Sequence, residues 1–399
     1  MTMQSEERWE LWGHLADRYR ELRPRRILAL DGGGIRGVMT LQVLRRLEQR
    51  LRETRGAGDE FRLSGFFDLI GGTSTGAIIA AGLARGMSVD EIAAFYREFG
   101  STAFARRKLW QRWEALYGDG PLAKTLRDTF GADTDLRPDG LKTLLVVVTR
   151  NATTDSAWPV SSNPFAKYNE PSRKDCNLRI PLWKLVRAST AAPVFFPPEV
   201  IEWEPENPEK SFVFVDGGTT AYNNPAFLLY KMATEPAYRL GWPRGERQLL
   251  IVSVGTGGAP VAGDTAEDPG TNLLEAAKNT LSALMSQTSV DQDVSCRVVG
   301  RCSYGGVIDR ELHDLTPVTP GIPDRPLPLE EDTHKAFLYV RYNAELTPTG
   351  LEELGLGGID AERVRKMDDV GNIDDLTRIG DALAQRVDVA HLGSFATAP

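Results

Sequence analysis

The sequence predicts an α/β protein whose central sheet is mostly parallel and flanked by helices. Short, largely apolar runs such as residues 27–30 and 248–254 have the length of buried strands. Segments with apolar residues every three or four positions alternate with them, and glycine-rich turns stand where a run ends and a helix begins. Helical additions are expected at both ends of the chain.

Taken in order, Trp9, Trp12, Leu15, Tyr19 and Leu22 recur at helical spacing, so residues 5–23 read as an amphipathic leading helix that Pro24 ends. The run 27–30 reads as a buried strand, and a glycine loop, 31–37, follows it. A helix from Val38 to about Glu53 carries Leu41, Leu44, Leu47 and Leu51 on one face. The run 66–71 reads as a second strand, and the small residues 77–84 as a helix. Ser88 and Glu91 form a capping box that opens a helix to about Phe99. Further strands are predicted at 143–149, 212–215, 248–254 and 337–341. Helices are predicted at 122–130, 182–189, 226–234 and 273–287, loops at 258–271 and 317–328. The expected organisation is an N-terminal helix over 1–24, a main α/β domain over 25–345, and a helical appendage and tail over 346–399.

Bulk properties narrow the functional classes. A formal net charge of −8 argues against a general nucleic-acid binder. Three cysteines, odd in number and sparse, do not make a disulfide framework and fit a reducing, cytoplasmic setting. The polar, acidic start is not a secretory signal, and Thr2 stands where a myristoylation site needs glycine. No apolar run approaches the roughly 18 residues that span a bilayer. No metal site and no cofactor are expected.

Between the second strand and its helix stand Gly72, Thr73, Ser74, Thr75 and Gly76. A G-x-S-x-G between strand and helix is a nucleophile elbow, which holds its serine in a strained turn at a helix N-terminus. An activated serine needs a base and an oxyanion hole. The four histidines, His14, His313, His334 and His391, have no motif-like surroundings. Asp216 ends the run 212–215 and is followed by Gly217 and Gly218, which places it where α/β active sites collect. A turn-initiating aspartate with two permissive glycines has the same pattern. In water an aspartate is a weak base for a hydroxyl, and an apolar pocket would raise its pKa toward usefulness.

The loop Gly32, Gly33, Gly34, Ile35, Arg36 and Gly37 points backbone N–H groups out of a helix N-terminus, an anion-binding arrangement. Gly32, Gly34 and Gly37 also satisfy G-x-G-x-x-G, so a dinucleotide site is the rival reading. That reading needs an acidic residue closing the next strand, and here the next strand ends in the serine elbow. Arg36 either braces the loop or meets a substrate phosphate. A third reading is a catalytically silent lipid- or partner-binding module.

Together the glycine loop Gly32–Gly37, the elbow Gly72–Gly76 and the element Asp216, Gly217, Gly218 resemble the patatin-like phospholipase family. The stretches 187–196 and 223–225 are similar to further family segments. The resemblance covers about residues 27–228, and more loosely the chain to Gly257. It implies a three-layer patatin-like fold and a Ser74–Asp216 dyad acting on acyl esters of membrane phospholipids, with the glycine loop as oxyanion hole. Bacterial members of the family include phospholipases switched on by cyclic dinucleotides in antiphage defence, so the resemblance also implies a cyclic dinucleotide as a candidate activator. Peripheral membrane contact is expected. Trp110, Trp113 and Tyr117 share a helical face in a segment of net charge +3, which suits an anionic lipid interface; a helix that packs its aromatics into the core with its arginines in water has the same pattern.

Overall fold

The structure is a computed structural model that describes residues 9–103, 120–193, 195–204, 207–259, 273–308 and 335–397. The segment carrying Trp110, Trp113 and Tyr117 lies outside them, as do His313, His334 and most of the two expected loops. Nine strands form one sheet: β1 (Arg25–Leu30), β2 (Leu69–Thr73), β3 (Leu144–Asn151), β4 (Ser156–Ser161), β5 (Glu199–Glu202), β6 (Ser211–Asp216), β7 (Leu249–Val254), β8 (Arg301–Tyr304) and β9 (Leu338–Tyr342). The order is β5-β6-β3-β2-β1-β7-β9-β8, with β4 on β3 off this path. From β3 to β8 the pairings are parallel, and β4, β5 and β6 add antiparallel pairs. The expected mostly parallel α/β sheet is what forms.

Alternate residues of the parallel strands feed two apolar clusters, one on each face. Leu28, Leu30, Ile70, Leu145, Val147 and Val252 pack under the Gly37–Thr54 and Thr75–Ala84 helices. Ile27, Ala29, Leu69, Val146 and Ile251 face the Ala226–Thr234 helix together with Trp12 and Tyr19. Both faces are therefore covered, which is why these strands read as continuous apolar runs.

Three expectations are corrected. Residues 66–68 are not the start of a strand: Leu63–Phe66 is a short helix, and β2 begins only at Leu69. The cause is Asp68, fully buried, whose carboxylate accepts the Arg26 backbone N–H at 3.0 Å and pairs with Arg18 and Arg23. The described part of the leading segment is not one continuous helix either. Gly13, at φ +48°, separates the first turn from a 3-10 turn (Gly13–Leu15) and the helix Ala16–Arg20. Trp12 and Tyr19 are buried in the core, while Leu22 is fully exposed. Finally, the Leu273–Val299 helix runs twelve residues beyond the expected end at 287.

The C-terminal residues fold back over the sheet's first helix. The Ile373–Ala384 helix packs along Gly37–Thr54, and Gly380 permits the close approach: a Cβ there would fall 2.8 Å from the Met39 Cα. This packing delivers the turn at Met367 to the glycine loop.

Candidate active site

The register of β3 explains why residues 142 positions apart meet. Along one edge of β3 runs β4. The other edge is shared end to end by two strands: β2 occupies it up to Thr73, opposite Val148, and β6 arrives antiparallel from the other side to end at Asp216, opposite Thr149. Ser74 follows Thr73 directly. Ser74 and the Asp216 carboxylate therefore leave adjacent register positions on the same strand edge.

Ser74 has φ +54° and ψ −123°, a region that costs a non-glycine residue about 1–3 kcal/mol and persists only under constraint. The constraint is steric and polar. A Cβ on Gly72 would fall 2.1 Å from the Gly76 carbonyl oxygen, and one on Gly76 would fall 2.2 Å from that of Leu30. Only glycines let the elbow close this tightly. The Ser74 N–H donates to Ser189 Oγ at 2.9 Å, and that hydroxyl donates onward to the Val148 carbonyl at 2.6 Å. Ser189 thus ties the elbow to the strand that sets its register.

Ser74 Oγ donates to Asp216 Oδ2 at 2.5 Å, and both residues are buried. The other carboxylate oxygen accepts the Gly218 N–H at 2.7 Å. Burial pushes the Asp216 carboxyl up to about 7, against these two hydrogen bonds, which favour its ionised form. A carboxylate so placed is a far better base than one in water. Neither described histidine reaches the serine: His14 is exposed, and His391 bonds Tyr342 and stacks on Tyr304 at the β8–β9 edge of the sheet.

The glycine loop is held by its carbonyls. The Gly32 carbonyl accepts from Thr256 Oγ1 at 2.7 Å and from Asn223 Nδ2 at 3.4 Å. The Gly33 carbonyl accepts the backbone N–H and the Nε of Arg36 at 3.3 and 3.4 Å. In a trans peptide N–H and C=O point in opposite directions. Pinning these two carbonyls therefore turns the Gly33 and Gly34 N–H groups away from the protein, and neither has an acceptor among the described residues. Of the two roles open to Arg36, this contact is the bracing one. Gly32 itself is no donor to a ligand, because its N–H is given to the Asn223 carbonyl at 3.1 Å. Gly37 serves packing: a Cβ there would fall 2.2 Å from Thr75 Cγ2.

At the base of the loop a buried ion pair locks β1 to β9. Arg341 grips Asp31 with two bonds, 2.8 and 2.6 Å, and also donates to Ser253 Oγ at 2.7 Å. Burial alone would depress the Arg341 pKa, but the Asp31 carboxylate beside it holds it above the ordinary value.

A cleft opens over Ser74, with Gly34, Thr75 and Asp216 at its floor. Its walls are apolar: Ile78, Phe195 and Phe196, with Leu281 and Met285 from the Leu273–Val299 helix and Met367 from the C-terminal turn. The Met367 carbonyl also accepts the Ile35 N–H at 2.9 Å. Sequence reasoning missed the walls Leu281, Met285 and Met367 and the role of Ser189. The stretch around Ser189 carried a signal, since it resembles a family segment. The three walls carried none, because their contact with the site is purely tertiary.

The fold and the site define an α/β protein with a serine elbow facing a buried carboxylate and a glycine loop. Residues 28–230 match the Patatin-like phospholipase family. That is half of the chain, and the chain belongs to this family. It is 32% identical over 214 residues to a "cGAMP-activated phospholipase" of Vibrio cholerae serotype O1, covering 51% of this chain and 56% of that protein. It is 28% identical over 248 residues to Patatin-T5 of Solanum tuberosum, covering 58% and 60%. Patatin-17 of Solanum cardiophyllum is 29% identical over 249 residues, with the same coverage. The chain thus spans less than two thirds of the length of these curated relatives. Leu281, Met285 and Met367 all lie beyond the family match. No helix among the described residues is long and apolar enough to cross a membrane.

Proposed function

We propose that this chain is a lipid acyl hydrolase of phospholipase A type, with Ser74 as nucleophile and Asp216 as its base. The observation that carries the reading is the 2.5 Å bond from a strained serine to a buried carboxylate. In the first step Asp216 takes the Ser74 proton as Oγ attacks the ester carbonyl. The oxyanion of the tetrahedral intermediate accepts from the Gly33 and Gly34 N–H groups. Asp216 then returns the proton to the leaving alcohol, here the lysolipid. In the second step water attacks the acyl-serine, gives its proton to Asp216, and the fatty acid departs as Oγ is reprotonated. The apolar cleft suits the acyl chain, since burying each methylene contributes about 0.8 kcal/mol.

The similarity to the Vibrio relative supports cyclic-dinucleotide control as a further part of the proposal, and the family resemblance adds a role in antiphage defence. The test is lipid analysis of membrane phospholipid vesicles incubated with the wild type and Ser74→Ala, each with and without cyclic GMP–AMP. Free fatty acid and lysolipid should appear with the wild type and not with Ser74→Ala. Equal release by both would refute the serine. Release unaffected by the dinucleotide would refute the control. Labelling of Ser74 by a fluorophosphonate separates this reading from a catalytically silent lipid-binding module.

A further inference from the structure

Two peptide units meet at Gly34. The first carries the Gly34 N–H, and its carbonyl, that of Gly33, is braced by Arg36. The second runs from Gly34 to Ile35, and it too is held at both ends. The Ile35 N–H donates to the Met367 carbonyl at 2.9 Å. The Gly34 carbonyl accepts from two hydroxyls, Thr75 Oγ1 at 3.0 Å and the phenol of Tyr96. Gly34 stands at φ +59°, and glycine has the widest backbone freedom of any residue. Its N–H keeps one direction only while the peptide planes on both sides of it are fixed.

The two hydroxyls come from different places. Thr75 directly follows Ser74 and opens the Thr75–Ala84 helix, so its bond ties the glycine loop to the serine's own helix. Tyr96 comes from 62 residues beyond Gly34, on the Val89–Ala103 helix, and is fully buried in the apolar cluster on that face of the sheet. A phenylalanine would satisfy such a place by packing alone, because a buried hydroxyl costs desolvation unless it is bonded. Burial pushes the Tyr96 phenol up from its ordinary pKa, so it stays protonated and able to donate. The two hydroxyls also contact each other. A Cβ on Gly37 would fall 2.2 Å from Thr75 Cγ2 and 2.8 Å from the Tyr96 hydroxyl oxygen. The last glycine of the loop therefore leaves the space that this pair occupies.

We infer that Tyr96 is a positioning residue of the oxyanion hole: together with Thr75 it holds the Gly34 carbonyl, and through that peptide it keeps the Gly34 N–H aimed at the charge that develops beside Ser74. The inference rests on the oxyanion-hole reading above. A hold of this kind acts on the transition state, where the carbonyl oxygen gains charge, and hardly on the bound substrate, where it has none.

The test is a double-mutant cycle on the full chain with Tyr96→Phe and Thr75→Val, each of which removes a hydroxyl and keeps the side-chain shape. With one hydroxyl left the carbonyl is still held, so each single variant should lose about three- to tenfold in kcat/KM for a p-nitrophenyl ester. The double variant should lose about 10²–10³, as when an oxyanion donor is removed, and more than the product of the two single losses. The second readout is inhibition by an alkyl trifluoromethyl ketone and by the alcohol of the same chain length. Ser74 Oγ adds to the ketone carbonyl, its proton passes to Asp216, and the adduct oxygen carries the negative charge. The alcohol fills the cleft without forming an oxyanion. Ketone affinity should fall by the same factors as kcat/KM, and alcohol affinity should stay within about twofold of wild type.

Equal losses for ketone and alcohol would overturn the inference and make Tyr96 a packing residue of the cleft. A double variant whose loss equals the product of the single losses would overturn the shared hold on the carbonyl. If Tyr96→Phe does not fold, Thr75→Val is read alone against the two inhibitors, and an equal change in both would overturn the inference. Hydrolysis by Ser74→Ala at the wild-type rate removes the serine reading and this inference with it. Hydrolysis that needs Ser74 but is indifferent to the double variant removes this inference alone.

Discussion

Burying Asp216 has a thermodynamic consequence that can be measured without any substrate. Its pKa moves from 3.8 to about 7 on folding. The folded chain therefore holds this proton across a pH range in which the unfolded chain has released it. Below pH 3.8 the group is protonated in both states and costs nothing. As pH rises from there to about 7, folding must retain a proton that the unfolded state gives up, and stability is lost. At about 1.4 kcal/mol per pH unit the loss reaches about 4 kcal/mol above pH 7. Asp216→Asn removes the ionisation while keeping an oxygen for the Gly218 N–H. Relative to the wild type, the variant should gain about 3 kcal/mol between about pH 5 and about pH 8, read as a shift of the urea midpoint at constant m. It should at the same time lose ester hydrolysis. A stability difference that is the same at both pH values would refute the burial argument. Retained activity would refute the role of the carboxylate.

Three other perturbations follow from the same geometry. Wild-type kcat/KM should rise with a slope of one as pH climbs toward about 7 and level off above it, because Asp216 accepts a proton only when ionised; a flat profile from about pH 5 to 9 would exclude it as the base. Gly34→Ala should lower kcat/KM by about 10²–10³, the effect of a lost oxyanion donor, because Gly34 has φ +59° and a Cβ there would fall 2.3 Å from the Met367 carbonyl oxygen; esterase kinetics at constant fold, checked by circular dichroism, measures it. Arg341→Met should destabilise the chain by about 3–5 kcal/mol by leaving the Asp31 carboxylate buried and unpaired, and adding Asp31→Leu should recover much of that loss in a denaturant titration.

The parts of the molecule legible in the sequence are those whose local pattern and final environment agree. Strands buried on both faces, such as β1 and β7, announce themselves by apolar runs. The elbow announces itself because no other residue types fit its turn. What escaped is set by distant partners. Strand β4 holds Pro159, which reads as a strand breaker and is tolerated because, among the described residues, β4 pairs only with β3. Strands β5 and β8 are four residues long, too short for a period to show. Asp68 looked like part of a strand because its arginine neighbours are brought to it only by folding. The cleft walls Met285 and Met367 lie more than two hundred residues from Ser74 in the chain. Their neighbourhood exists only in three dimensions.

The shared edge of β3 has an evolutionary corollary. Because Thr73 and Asp216 are opposite Val148 and Thr149, the spacing of Ser74 and Asp216 is measured along one strand. The intervening chain, with its helices and loops, does not enter that measurement. Insertions and deletions between Ser74 and Asp216 can accumulate while the two stay aligned, so sequences that diverge widely in length between elbow and aspartate can keep one geometry. A single-residue insertion inside β3 between Val148 and Thr149 has the opposite effect. It would pull the two apart by one strand step, about 3.3 Å, and a hydrogen bond of 2.5 Å cannot stretch that far.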